Sequence, residues 1–160
     1  RSTLDRSSAA SDVYKRQVPD ELYTVPFGEA NFTREGKDVT LISMGKTVLL
    51  CNQVADELKK DKISCTVLDL RTLSPLDEDS VLEAAEETGR VVIVDESHPR
   101  CNIATDISAL ICDKAFSSLK APIKMVTPPH TPVPFSPTLE DLYLPSAPKV
   151  RSAIKATLDN

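Results

Sequence analysis

The sequence is poor in glycine, with four in 160 residues. No GxGxxG is present, which excludes the fingerprint that uses glycines for a tight turn at a dinucleotide pyrophosphate. The stretch "SMGKT" (43–47) ends like a phosphate-binding P-loop, but Thr40 stands five residues before Gly45, where that motif needs another glycine. Without a glycine-rich backbone the N–H groups have no way to wrap a phosphate. We interpret this stretch as a plain turn from a strand into a helix.

Several other signatures are also missing. The four cysteines show no CxxC spacing and no histidine at zinc-ligand distance, and neither GxSxG nor HExxH occurs. No apolar run approaches the ~20 residues that a membrane span needs. The formal net charge of −5 disfavours nucleic acid and anionic membrane as partners. We therefore expect a cytoplasmic globular protein with reduced, mostly buried thiols at Cys51, Cys65, Cys101 and Cys112.

The first seventeen residues, "RSTLDRSSAASDVYKRQ", differ from the rest of the chain. They are rich in serine, arginine and aspartate, show no hydrophobic periodicity and begin without a methionine. We expect 1–17 to be a non-native leader, with a native disordered tail as the alternative. The domain is then expected to span 18–160 and to be a fragment of a longer protein.

From Asp38 onward, strand-like and helix-like patterns alternate. Such alternation is typical of βαβ units, and it predicts a mainly parallel sheet with helices on both faces, an α/β/α sandwich. Asp77 and Asn102 are the expected helix caps and Gly89 an expected helix stop. The predicted strands are 38–43, 64–70, 90–97 and 123–127, and the predicted helices are 46–60, 75–89, 102–119 and 146–158.

Two polar stretches follow predicted strands, where open α/β sheets place functional groups. "DESHPRCN" (95–102) offers Asp95, Glu96 and His98 as an acid/base cluster or as metal ligands; helix capping or an interface role is the alternative that we favour. "LDLRTLSPLD" (68–77) places Asp69 and Arg71 two residues apart. We expect an ion pair between them, with anion binding by Arg71 as the alternative.

Residues 128–150, here called the proline arm, hold seven of the twelve prolines. Proline lacks a backbone N–H and fixes φ, so this composition predicts a rigid, extended and irregular segment. Such a segment loses little conformational entropy when it docks on a partner.

Three stretches carry a resemblance to a known family: "DLRTLSPLD", "VVIVDESHPRCNIATDIS" and "HTPVPFSPTLEDLYLP". From about Val18 to its end, the chain resembles the C-terminal, transketolase-like domain of the β subunit of thiamine-diphosphate-dependent acetoin and 2-oxo acid dehydrogenases. The resemblance implies a five-stranded mixed sheet in the order 1-3-2-4-5, with an antiparallel first strand at 30–34. "HPRCNIATDIS" is closest to acetoin-type enzymes, because pyruvate-type relatives usually carry a glycine-rich turn there.

The resemblance also implies an α2β2 heterotetramer, in which thiamine diphosphate and Mg²⁺ lie between the α subunit and the N-terminal domain of β. That domain has no counterpart in this sequence, so we assign no catalytic, cofactor-binding or metal residue. Acidic residues near the end of the chain, Glu140, Asp141 and Asp159, are expected to dock the basic peripheral subunit-binding domain of an acyltransferase. A free-standing flavodoxin-like module with a small-ligand site is the alternative. The residues expected to contact the α subunit and the second β subunit are His98, Arg100, His130, Pro132, Val133, Pro134 and Phe135.

Overall fold

The computed structural model describes residue 20 and residues 22–159, so the expectation for 1–17 lies outside the described residues. The strands are β1 (Asn31–Arg34), β2 (Val39–Ser43), β3 (Cys65–Asp69), β4 (Val91–Val94) and β5 (Lys124–Val126). The helices are α1 (Lys46–Leu58), α2 (Glu78–Thr88), α3 (Ile103–Lys114), α4 (Pro137–Tyr143) and α5 (Ala147–Leu158). Short 3₁₀ turns follow α1 at Lys59–Asp61 and α3 at Phe116–Ser118. No helix in the described part of the chain is long and apolar enough to cross a membrane.

The five strands form one mixed sheet in the order β1-β3-β2-β4-β5. β1 is antiparallel to β3, whereas β2, β3, β4 and β5 are mutually parallel. The sheet that the resemblance implied is confirmed, including its antiparallel first strand. The pattern of apolar residues alone had missed β1, because it is a four-residue edge strand with only partly buried or exposed side chains.

Side chains that alternate along the strands build two separate cores. Leu41 belongs to the core that β2 shares with α1 and α5, and its neighbour Ile42 belongs to the core shared with α2 and α3. Successive side chains of a strand point to opposite faces, so helices cover both faces of the sheet. The predicted three-layer α/β/α sandwich is confirmed.

The predicted helix caps are also present. Asp77 caps α2 by accepting a hydrogen bond from the Ser80 backbone N–H at 3.0 Å, and Gly89 ends this helix with φ +69°. Asn102 caps α3 through the Thr105 backbone N–H at 2.9 Å, and the two residues form a reciprocal capping box. The "SMGKT" stretch is the predicted turn, since β2 ends at Ser43 and α1 begins at Lys46.

Three predicted segments need correction. The strand predicted at 90–97 ends at Val94, because Asp95 starts a turn. The helix predicted at 102–119 ends at Lys114 and continues as a 3₁₀ turn. The proline arm is not irregular throughout, because it contains the two-turn helix α4. Pro137 opens that helix at a position where the missing N–H would have no intrahelical partner.

The thiol and ion-pair expectations hold only in part. All four cysteines are free, but Cys101 and Cys112 are exposed. Burial raises the pKa of Cys51 to about 12, so this thiol is unreactive.

Asp69 accepts a hydrogen bond from the backbone N–H of Arg71 at 3.1 Å, and the described contacts include no Asp69–Arg71 ion pair. Arg71 has a φ of +56°, which takes its side chain out of the strand alternation on which that expectation depended.

Candidate interface at the carboxyl edge of the sheet

The carboxyl ends of β4 and β5 lie side by side, because these strands are parallel neighbours. The first turn after β4 is built by Asp95, whose carboxylate accepts hydrogen bonds from the Ser97 backbone N–H (3.0 Å) and the Ser97 hydroxyl (2.6 Å). Its own backbone N–H donates to the Val126 carbonyl of β5 at 3.1 Å. Asp95 is 8% exposed. Its carboxylate shapes the loop, as expected of a structural residue rather than of an acid/base group.

The next residues of this loop are fixed by the start of α3. The His98 carbonyl accepts hydrogen bonds from the Asn102 side-chain amide (2.8 Å) and from the Arg100 backbone N–H (2.9 Å). The side chains of His98 and Arg100 are exposed. A rigid backbone thus presents an imidazole and a guanidinium to the surroundings.

Contacts within the proline arm hold it in one shape, and its first and last residues are buried. Pro128 is buried, and the Tyr143 hydroxyl donates to the Thr131 carbonyl at 3.3 Å. Tyr143 is the buried residue of α4, at 7% exposure. Lys149, in the first turn of α5, donates to the Leu142 carbonyl at 2.9 Å. The arm is thus folded on itself between two buried ends.

The structure brings the two predicted histidines together. The ring centroids of His98 and His130 are 5.1 Å apart, with an interplanar angle of 69°. These are the two histidines of the chain, and they are contributed by the loop after β4 and by the proline arm. No spacing rule connects residues this far apart in sequence, so only the adjacency of β4 and β5 could have suggested the contact.

The predicted apolar part of the arm is exposed. Val133 is 69% exposed and Phe135 is fully exposed, while Pro134 between them is partly buried. Leu139 (53%) and Leu142 (70%) of α4 extend the same exposed apolar segment. Burying an apolar side chain of this size contributes about 1.5–3 kcal/mol, so such a stretch favours a partner surface.

The three predicted docking acids lie on two different helices. Glu140 and Asp141 are exposed on α4, whereas Asp159 is the C-cap residue of α5. A helix of twelve residues is about 18 Å long. Asp159 ends the helix whose first turn Lys149 holds against the end of α4.

A groove of ≈ 670 Å³ lies along α1, and sequence reasoning did not identify it. Its apolar lining includes Leu49, Leu50 and Leu144. Two acids of its lining are already paired, Asp56 with Arg34 and Glu57 with Arg151. The described residues include no group of three or more His, Cys, Asp or Glu side chains that could hold a metal ion.

Comparison with known proteins decides the family. The family model described as "Transketolase, C-terminal domain" matches residues 28–150, more than half of the chain. The chain belongs to the transketolase C-terminal domain family. Its sheet agrees with this: a solved "Split gene transketolase, inactive beta4 tetramer" superposes with a TM-score of 0.74 over 89% of this chain and 45% of that one, at 24% identity. At that identity the likeness shows the fold alone.

The curated relatives of this transketolase C-terminal domain are subunits of oxidoreductases. The chain is 57% identical, over 89% of its length, to the "Acetoin:2,6-dichlorophenolindophenol oxidoreductase subunit beta" of Cupriavidus necator and 54% identical, over 86%, to that of Bacillus subtilis. It is 40% identical, over 91%, to the "Pyruvate dehydrogenase E1 component subunit beta" of Bacillus subtilis. It spans 42%, 40% and 45% of these three relatives, respectively. The alternative of a free-standing flavodoxin-like module is not favoured.

Proposed function

We propose that this chain is the C-terminal assembly domain of the β subunit of a thiamine-diphosphate-dependent dehydrogenase, and that it is inert alone. The complete enzyme would be a cytoplasmic oxidoreductase that cleaves acetoin or decarboxylates a 2-oxo acid and passes the acyl unit to a lipoyl group. Identity of 57% with the acetoin-type β subunit, against 40% with the pyruvate-type one, favours acetoin.

The observation that carries an assembly role is the exposed apolar segment of the proline arm. Val133 and Phe135 lie on a backbone that prolines and the Tyr143–Thr131 hydrogen bond fix before any partner arrives. A surface ordered in advance loses little entropy on association. We assign this segment, with His98, Arg100 and His130 beside it, to contacts with the α subunit and with a second β subunit.

The described residues do not fit the cofactor of the complete enzyme. A diphosphate with Mg²⁺ needs oxygen ligands for the ion and N–H groups or cations for the phosphates. The described residues include no group of three or more His, Cys, Asp or Glu side chains that could hold this ion. Thiamine diphosphate and Mg²⁺ are therefore proposed to bind the part of the enzyme that this chain does not cover.

A domain graft tests this proposal. The chain would replace the corresponding region of the Cupriavidus necator acetoin-type β subunit, and the chimera would be expressed with its α subunit. We expect acetoin-dependent reduction of 2,6-dichlorophenolindophenol, with pyruvate a poorer substrate. The isolated chain should give no calorimetric signal with thiamine diphosphate and Mg²⁺. A folded chimera without activity, or tight cofactor binding by the isolated chain, would contradict the proposal.

A further inference from the structure

The side chains of His98 and His130 form a pair whose ring nitrogens have no hydrogen-bond partner among the described residues. Both side chains are exposed, so edge-to-face packing of the rings buries little surface. A neutral imidazole offers a lone pair on one ring nitrogen, and imidazole is the commonest metal ligand in proteins. The pair therefore has two unused donor atoms on adjacent rings.

The distance between the rings suits one shared ion. Nitrogen ligands lie about 2.0–2.1 Å from a tetrahedral Zn²⁺, which places the centroids of two bound imidazoles about 5 Å apart. The observed separation is 5.1 Å. The rings meet edge to face at 69°, so binding one ion requires both side chains to reorient, and no hydrogen bond among the described residues holds either ring nitrogen.

The two backbones that carry the pair are held in place. The His98 carbonyl is bonded by the α3 cap residue Asn102, and Thr131, next to His130, is bonded through its carbonyl by Tyr143. A chelate whose ligands are already positioned binds an ion at a smaller entropic cost. This arrangement differs from two histidines on flexible surface loops.

We propose that His98 and His130 form a two-histidine site for a borderline transition-metal ion such as Zn²⁺, which fastens the proline arm to the loop after β4. Asp95 is given no part in the site, because it is buried and its carboxylate holds the Ser97 turn. Water completes the coordination sphere, so the site is open. Mg²⁺ and Ca²⁺ are excluded, because these hard ions require oxygen ligands. His98 and His130 are also assigned to the proposed subunit contacts, so the site is tested on the isolated chain, where failure of the assembly role would not change the result.

Zn²⁺ titration of the full chain by isothermal calorimetry tests the site. The exposed thiols of Cys101 and Cys112 compete for Zn²⁺, so a variant with both replaced by serine is the starting protein. We expect it to bind one Zn²⁺ through the histidine pair and to bind no Mg²⁺. His98→Ala and His130→Ala should each weaken Zn²⁺ binding at least tenfold, whereas the matched surface variant Glu140→Gln should stay within twofold.

Thermal unfolding gives a second measurement. An ion that binds only the folded chain raises its Tm. Zn²⁺ should therefore raise the Tm of the starting protein and leave the Tm of both single-histidine variants unchanged. Both histidines are exposed, so these variants should fold normally, as circular dichroism would check. The proposal would be overturned if the starting protein did not bind Zn²⁺, or if either single-histidine variant bound it as tightly as the starting protein does. It would also be overturned if Glu140→Gln weakened Zn²⁺ binding as much as the histidine variants do.

Discussion

Replacing Asp77 by alanine should lower the free energy of unfolding by about 2 kcal/mol. The Asp77 carboxylate accepts hydrogen bonds from the Ser80 backbone N–H (3.0 Å) and hydroxyl (2.8 Å), and from the Ala30 backbone N–H (2.8 Å). Loss of a helix N-cap costs about 1 kcal/mol, and loss of a further hydrogen bond costs about 1 kcal/mol. Both effects apply here, because Asp77 caps α2 and also holds the residue that precedes β1.

A second substitution separates the two contributions. Asparagine is also a good N-cap, so Asp77→Asn keeps an oxygen for the Ser80 backbone N–H. Its amide nitrogen replaces the other oxygen and has no acceptor to offer Ala30. Asp77→Asn should therefore lower the free energy of unfolding by about half as much as Asp77→Ala does.

Urea unfolding followed by circular dichroism measures these differences. Asp79→Ala is the matched control, because Asp79 lies in the same first helical turn but is exposed. Exposed substitutions of this kind usually change stability by less than about 0.5 kcal/mol. If Asp77→Ala were no more destabilising than Asp79→Ala, the assigned role of Asp77 would be wrong.

The same carboxylate gives a pH dependence. Partial burial acts to raise the pKa of Asp77, but the hydrogen bonds from Ala30 and Ser80 outweigh it and hold the pKa below the ordinary value of 3.8. Because the pKa of Asp77 is lower in the folded than in the unfolded chain, its carboxylate stabilises the fold fully at a pH above the unfolded-state pKa. This stabilisation is lost as the pH falls through the folded-state pKa. The difference in free energy of unfolding between wild type and Asp77→Ala should be constant from about pH 5 to 8 and should shrink below about pH 4. A difference that grows as pH falls would contradict this assignment.

Two further predictions concern the thiols and the docking acids. A thiol reagent at neutral pH should modify Cys101 and Cys112 rapidly and should reach the two buried cysteines only when the chain unfolds. Modification of all four cysteines in the folded chain would show that Cys51 and Cys65 are not buried. If the acyltransferase docking that the family resemblance implies involves these acids, Glu140→Lys combined with Asp159→Lys should slow association of the grafted β subunit with the acyltransferase, because complementary charge mainly raises association rates. Surface plasmon resonance at two salt concentrations measures this, and an unchanged, salt-insensitive rate would place the docking surface elsewhere.

Local sequence patterns predicted those parts of the fold that depend on neighbouring residues. Apolar runs located β2, β3, β4 and β5, and Asp77, Asn102 and Gly89 marked helix ends, because caps act within one helical turn. β1 needed the family resemblance, since a short edge strand with little burial has no distinctive period. The helix inside the proline arm was missed, because proline content suggested extended backbone although proline is well tolerated at a first helical position.

The candidate interface was predictable as a set of residues but not as an arrangement. Sequence identified His98 and His130 separately, and only the pairing of β4 with β5 brings them into contact. The docking acids stay a prediction, with Glu140 and Asp141 on α4 and Asp159 at the end of α5. Contacts across a sheet depend on strand order, which spacing along the chain does not encode.

The most direct test of the assembly role is sedimentation velocity of the grafted β subunit mixed with its α subunit. Phe135→Asp in the proline arm is compared with Phe116→Asp, a matched control at another exposed phenylalanine (70% exposed). Both variants should keep the Tm of the isolated chain, because neither ring is buried in it. We predict that Phe116→Asp assembles like the unmodified graft and that Phe135→Asp remains dissociated. Normal assembly of Phe135→Asp would contradict the assignment of the proline arm to the subunit interface.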